Sequence, residues 1–522
     1  MSVIRREPER IAVAAAVVVA AAAVSVAFPD NMMVMGATSA VAAIIVTILL
    51  VSFGPLTLSE RWRRRRQFRR PLRARNMLYS TAGNGTVWDG ECASMYVAIA
   101  PAPFQVSVID VPDPELTPPS IPFDLIRDYL VQGDIHLAEA NVLGFAYRRF
   151  GRGDYNDSYH RAVGETSMAA IISTVIEIKV NLAASLYSVQ ARSPEGGSIP
   201  AAVGSTVHVV AARLEQALNM AGYEAKLLKG AEVNAFDASM LASLNDGLLH
   251  EQWNYLGGDT PAVVTRPSEW THRASQRWLQ VRADRVATAF SIRPGNFSTE
   301  TVSGALAFVY PDAAQFPEKA QYLRRVAGNQ GNVATELLPL ARTVRGVGAD
   351  QGALELAQDE AFPLEIPATG LGVHLGDGLQ GGRVFLNMQT GGAVLYVDAP
   401  LQFVACLIAR ASAVGASVGI RMDEPEWSQL AATVNPSLIA IHPTTTQSLE
   451  VYRDHAPTPS RRSATIVWCP GALPPTAVYT LAMEEDFTAR VATPDGVADF
   501  RWTVGHDELA LLPAAVRTGA VI

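Results

Sequence analysis

The sequence predicts a membrane-anchored α/β protein: an N-terminal two-helix transmembrane hairpin, then a soluble mixed α/β region in two lobes. Three observations carry this. Two apolar segments stand back to back, with no charged side chain between Ile11 and Pro29 or between Asp30 and Glu60. The run RWRRRRQFRRPLRAR follows at 61–75. Beyond it, runs with strand patterning alternate with runs whose apolar residues recur at helical spacing.

Each apolar segment is long enough to cross a hydrocarbon core of roughly 30 Å. Arg5, Arg6 and Arg10 precede the first segment, the arginine run follows the second, and the connecting turn near Pro29–Met35 has no Lys or Arg. The positive-inside rule then places both termini and the whole soluble region in the cytoplasm, with the chain in the plasma membrane. A cleavable signal peptide also begins with an Arg-flanked apolar core, but a second apolar segment follows here before the basic cluster. Both segments are rich in Ala and Val, which leaves small-residue faces for close helix contact.

Charge divides the chain. Residues 1–75 hold twelve arginines and four acidic side chains, a net of +8, so residues 76–522 carry −16 of the total of −8. The only dense basic patch lies against the membrane, which argues against a nucleic-acid role. There Arg61, Arg63, Arg64, Arg65, Arg66, Arg69 and Arg70 are candidates for binding anionic membrane lipids, each worth about 1 kcal/mol close to the surface. Cys92, Cys406 and Cys469 are far apart and form no C-x-x-C pair, which excludes a disulfide scaffold or cysteine zinc site and agrees with a reducing compartment.

The predicted organisation is a hairpin at 1–58, an Arg-rich linker at 59–75, a first α/β lobe at 76–310, an insertion or inter-lobe linker at 311–370 and a C-terminal α/β lobe at 371–522. In the first lobe, 95–100 and 104–111 read as strands separated by Pro101 and Pro103. Residues 123–132 read as a helix, 140–150 as a strand, 184–192 as a strand, 201–221 as a long amphipathic helix closed by Gly222, and 277–293 as a strand or hairpin. In the second lobe, RVFLNM and AVLYVDA read as strands, 400–415 as a helix, 416–422 as a strand, then a helix with Trp427 and the strand SLIAIHP. Consecutive βαβ units of this kind give a parallel or mixed sheet.

The familiar catalytic patterns are missing. None of the four lysines follows a glycine, so there is no Walker A loop. Gly415–Gly419 fits G-x-S-x-G, but a helix precedes Ser417 and a strand follows it, the reverse of a nucleophile elbow. HEQW at 250–253 lacks the second histidine one turn on that a zincin needs. The glycine-rich stretch 376–382 reads as a turn between strands. Asp423, Glu424 and Glu426 sit at a predicted helix N-terminus, where they oppose the dipole. No metal-binding D-x-D occurs. The expectation is no catalytic residue, no cofactor and no metal.

The chain resembles the EccE component of the actinobacterial type VII (ESX) secretion system. The likeness rests on the two-span hairpin, the Arg-rich linker, the α/β region and the block GVHLGDGLQGGRVFLNM…QFVACLIARASAVGASVGIRMDEPEWSQL. There Gly376, Asp377, Gly382, Arg383, Phe403, Arg410, Gly415 and Trp427 follow the family pattern, with an expected structural role. HEQWNYL and QRWLQVRADRV are similar to the family's tryptophan-containing strands. The resemblance implies a non-enzymatic membrane subunit assembled with EccB, EccC and EccD, in which EccC hydrolyses nucleotide. The alternative is a membrane-anchored enzyme of degenerate or unfamiliar glycosyltransferase-like type.

Overall fold

The computed structural model describes residues 8–27, 32–50 and most of 84–517, with short strand pieces at 52–53, 56–57 and 79–80. Residues 1–7, 28–31, 58–78, 81–83, 112–115, 194–197, 245–249, 311–321, 341–351 and 518–522, with a few shorter stretches, lie outside this description, and so does the whole arginine cluster from Arg61 to Arg75.

Two helices occupy the N-terminal segment, α1 (Pro8–Ala27) and α2 (Met32–Leu50), and they pack against each other. Small residues make the contact: Ala14 and Ala42 are buried, and Val17, Ala21, Ser25, Val34, Thr38 and Val46 are half-buried. Their spacing of three to four places each set on one face of its helix. Ser25 and Thr38 donate their hydroxyls to carbonyls of their own helices, at 2.9 Å to Ala21 and 2.8 Å to Val34, so neither leaves a polar group unbonded at the contact. Side chains are described for 12–27 and 32–47, and among the described residues no helix is long and apolar enough to cross a membrane. The expected two spans are thus unsupported at this level, although the two helices are present.

The first lobe is built on an antiparallel sheet. Its central strands are β1 (Cys92–Ala100), β3 (Ile135–Tyr147), β4 (Ile171–Asn181), β6 (Ala262–Pro267), β7 (Arg285–Pro294) and β8 (Thr299–Val309), in the order β6-β8-β7-β3-β4-β1. The intervening β2 (Val106–Ile109) belongs to another sheet, and β5 (Glu224–Leu227) extends β1. Side chains alternate between faces. Val97, Ile99, Ile176, Ile178 and Val142 meet Val203, Val207, Val210 and Leu214 of a long helix, Ile199–Met220. That helix starts with Pro at its first turn and ends before Gly222 at φ +90°, as its sequence signals.

The second lobe carries an eleven-stranded mixed sheet. It runs through β9 (Val373–Gly378), β10 (Arg383–Leu386), β11 (Val394–Asp398), β12 (Val418–Ile420), β13 (Ile439–Ile441), β14 (Leu449–Arg453), β15 (Ala464–Trp468), β16 (Tyr479–Met483), β17 (Thr488–Thr493) and β18 (Gly496–Trp502) in the order β13-β12-β14-β15-β11-β16-β17-β18-β9-β10-β2. The half from β13 to β16 is parallel and the rest antiparallel. The helix Leu401–Ala413 crosses from β11 to β12 and, apolar around most of its circumference, is buried on nearly every side.

Several local expectations change. Residues 95–100 and 104–111 are both strands but do not pair: β1 is in the first sheet and β2 hydrogen-bonds β10 in the second. Residues 184–192 hold a helix, Leu186–Ala191, instead of a strand. Ser185 accounts for this, donating its hydroxyl at 3.2 Å to the His136 carbonyl and starting a turn that sends Ser188 and Val189 inward. The helix expected at 123–132 stops at Asp128, because Val131–Gln132 folds back on Ile135. Trp278 lies on a helix, His272–Leu279, and only from Arg285 does the predicted strand begin. The described parts of 311–370 include Leu323–Arg325 and Leu354–Ala357, which add strands to the first sheet.

Candidate functional site

The seam where the first lobe's segments enter the second lobe gathers the family-pattern residues. Besides β2, the helix Asp154–Val163 packs on Leu401–Ala413, placing Tyr155 and Tyr159 in the second lobe's core. Arg410 is the one charged side chain on its mostly apolar helix, and burial obliges it to find partners. Its Nε and Nη2 donate to Glu508 Oε1 and Oε2 at 2.7 and 2.9 Å, a bidentate pair. Nη1 donates to the His374 carbonyl at 2.8 Å and Nη2 to that of Thr503 at 2.6 Å. Tyr155 donates its hydroxyl to Glu508 Oε1 at 2.7 Å, and the His374 amide donates to Tyr159 Oη at 3.0 Å.

Electrostatics follow from this burial. Desolvation, with Arg410 and Arg383 nearby, pushes the His374 imidazole down to about 3. Desolvation and Arg149 push His160 down to about 4. Burial lifts Tyr159 to about 12 and raises the Cys406 thiol well above its usual range. None of these groups is poised to exchange protons near neutral pH.

The other family-pattern positions serve the same seam or the core beside it. Arg383 donates to Asp110 Oδ2 at 2.7 Å and to the Val163 carbonyl at 2.6 Å, joining β10 to the end of β2 and to the helix Asp154–Val163. Gly382, at φ +76°, lies so close to that strand that a Cβ would stand 2.5 Å from the Ile109 carbonyl oxygen. Gly415, at φ +97°, ends its helix against Phe150, where a Cβ would stand 2.7 Å from the ring. Gly376 lies beside a bulge in β9, and a Cβ there would meet the Arg501 carbonyl oxygen at 2.1 Å. Asp377 is exposed and faces Arg383 and Arg501 in the strand register. Phe403 packs 5.0 Å from Trp502, and Trp427 is fully buried, edge-on to Trp468.

The candidate chemical motifs fall into ordinary structure. Ser417 precedes β12, and its Oγ accepts the Ser448 amide at 3.0 Å. Gly378–Gly382 turns the β9–β10 hairpin. Glu424 pairs with Arg453, and Asp423 lies 2.9 Å from His442. Among the described residues no group of His, Cys, Asp or Glu could hold a metal ion.

A second buried polar network crosses the first sheet. Asn141 donates to Glu177 Oε2 at 2.6 Å, Ser291 donates to Asn141 Oδ1 at 2.5 Å, and Tyr96 Oη lies 3.1 Å from Glu177 Oε1. Lys179 and Arg293 both pair with Glu139, at 3.3 and 3.1 Å. Reading the sequence had missed this network and Glu508, Tyr155, Tyr159 and Asp110. The signals were a lone arginine in an apolar helix, and tyrosines four apart in DYNDSYH.

Fold and seam together define a two-lobed mixed α/β scaffold in which the buried Arg410 and Glu508 are bonded to each other. Residues 168–265 match the family model described as "Putative type VII ESX secretion system translocon, EccE". The segment includes β4, the helix Ile199–Met220, β5 and HEQWNYL, whereas the C-terminal block that carried most of the sequence resemblance lies outside the match. No curated protein matches the chain.

Proposed function

We propose that the chain is a non-enzymatic structural subunit of a type VII secretion translocon in the plasma membrane, assembling with EccB, EccC and EccD to support protein export. The family match over residues 168–265 supports a translocon component. Its two lobes centre on 76–310 and 371–522, with β2 and the helix Asp154–Val163 packed into the second lobe and strands from 311–370 added to the first sheet; they are joined through the seam, in which the family-pattern residues act structurally. The hairpin anchors it, with both termini and the lobes in the cytoplasm, and the Arg61–Arg70 arginines meet anionic lipid headgroups.

One observation supports anchoring most directly. The hairpin buries alanines between its helices and turns Val13, Val18, Val19, Val26, Met32, Met33, Val41 and Ile44 outward, all more than half exposed. An outward apolar surface of this kind suits lipid better than water. The glycosyltransferase-like alternative draws only on the βαβ units of the second lobe, and fold alone does not carry activity.

Replacement tests separate the two. Ser417→Ala should leave secretion unchanged, and the purified chain should neither hydrolyse ATP nor transfer sugar from nucleotide-sugar donors. Sugar transfer above background, or lost secretion at normal protein level and assembly, would favour the enzyme.

A further inference from the structure

Strand register fixes where the chain enters the first lobe. Tyr79 faces Trp88, Trp88 faces Ala93, and Ala93 faces Val180 across successive strands, with Ser80, Val87, Ser94 and Lys179 in the next row. Tyr79, where the described chain of the lobe begins, therefore lies at the end of the sheet nearer Asn181. That end carries the helix Leu186–Ala191, which packs on the first turns of Ile199–Met220 through its buried Ser188 and Val189.

The same docking turns apolar side chains outward. Leu186 is 59% exposed, Tyr187 79% and Ile199 60%. Among the described residues at this end, Asp134 pairs with Arg192 at 2.8 Å, Asn181 donates to Glu91 at 3.0 Å, and Asp89 accepts the Cys92 amide at 2.6 Å. Large exposed apolar residues of the second lobe, such as Val478 and Val497, have no comparable link to the incoming chain.

We propose that this end of the first lobe rests on the bilayer, with Leu186, Tyr187 and Ile199 in the headgroup region. The inference rests on the anchoring reading above. The occupant is the membrane surface because the patch lies at the sheet end nearest Tyr79, where the described lobe begins after the hairpin, and residues 51–78 carry nine arginines that favour anionic lipid. Tyrosine beside aliphatic side chains suits the interface, where a ring body is buried and its hydroxyl stays wet.

The test uses the full chain in phosphatidylcholine–phosphatidylglycerol liposomes. Cys92, Cys406 and Cys469 are buried, so a cysteine introduced by Tyr187→Cys takes an environment-sensitive nitrobenzoxadiazole label selectively, with the unmutated chain as background. Leu186→Cys is a second position and Val497→Cys the control. Expected are a several-fold brighter, blue-shifted emission at 187 and 186 that doxyl-labelled lipid quenches, and a water-like signal at 497. Flotation after an alkaline carbonate wash reports anchoring independently. A floating protein whose 186 and 187 labels stay water-like, or are shielded but not quenched by doxyl lipid, overturns the inference. Release by carbonate overturns the anchoring reading instead.

Discussion

Glu508 receives both nitrogens of the Arg410 fork inside the core, at 2.7 and 2.9 Å, with the carboxylate fully buried. The pair joins the helix Leu401–Ala413 to the short helix His506–Ala510, and Tyr155 brings in the first-lobe segment. Removing one member leaves the other charged and buried. Arg410→Met should therefore destabilise the protein by about 3–5 kcal/mol, whereas the double change with Glu508→Leu should recover part of that loss. Chemical denaturation of the three chains checks it; equal stability of single and double variants would contradict the pairing.

Acid should loosen the seam. His374 and His160 remain neutral in the fold to about pH 3 and 4, but in the unfolded chain they take a proton near the ordinary 6.5. Above pH 6.5 neither state binds the extra proton, and these groups leave stability unchanged. Between 6.5 and about 3–4 only the unfolded chain binds it, so stability falls with pH, by up to about 1.4 kcal/mol per unit per histidine. Denaturation midpoints measured from pH 7 to 4.5 should drop, and His374→Asn should make the slope shallower.

Gly415→Ala tests the contact with Phe150. The φ of +97° disfavours any side chain and the new methyl would overlap the ring. A loss of about 1–2 kcal/mol from the backbone alone is expected, with more if Phe150 cannot move. Thermal unfolding measures it, and Ala at Gly392, which has a positive φ but open space around it, separates strain from overlap.

How much of this was legible in the sequence depended on how local each signal was. The βαβ units around Leu401–Ala413 and Pro425–Val434 were readable because helical spacing, a closing glycine and short apolar strands all lie within single segments. The separation of β1 from β2 was not, because pairing partners hundreds of residues away decide it. Gly382, Gly415 and Arg410 stood out through resemblance, yet their reasons, Ile109, Phe150 and Glu508, come from distant parts of the chain. Ser185 redirected 184–192 from strand to helix through a bond to His136 that no local pattern announces.

The hairpin contact makes its own prediction. Ala14 is buried between the helices and Ala21 half-buried, so Leu at both raises apolarity while forcing the helices apart. The Ala14→Leu, Ala21→Leu chain should stay in the membrane fraction and co-purify less with the other subunits. Replacing Arg63–Arg66 by Gln should act likewise through the lost headgroup attraction, up to a few kcal/mol. Undiminished complex yield from both would mean that the lobes alone carry assembly.

Affinity purification of the tagged full chain from solubilised membranes probes its membership of a membrane-embedded secretion complex. A large species on native gels containing EccB, EccC and EccD is expected, with ATP hydrolysis attributable to EccC. Recovery of the chain alone, from a fraction that carbonate strips from the membrane, would contradict it.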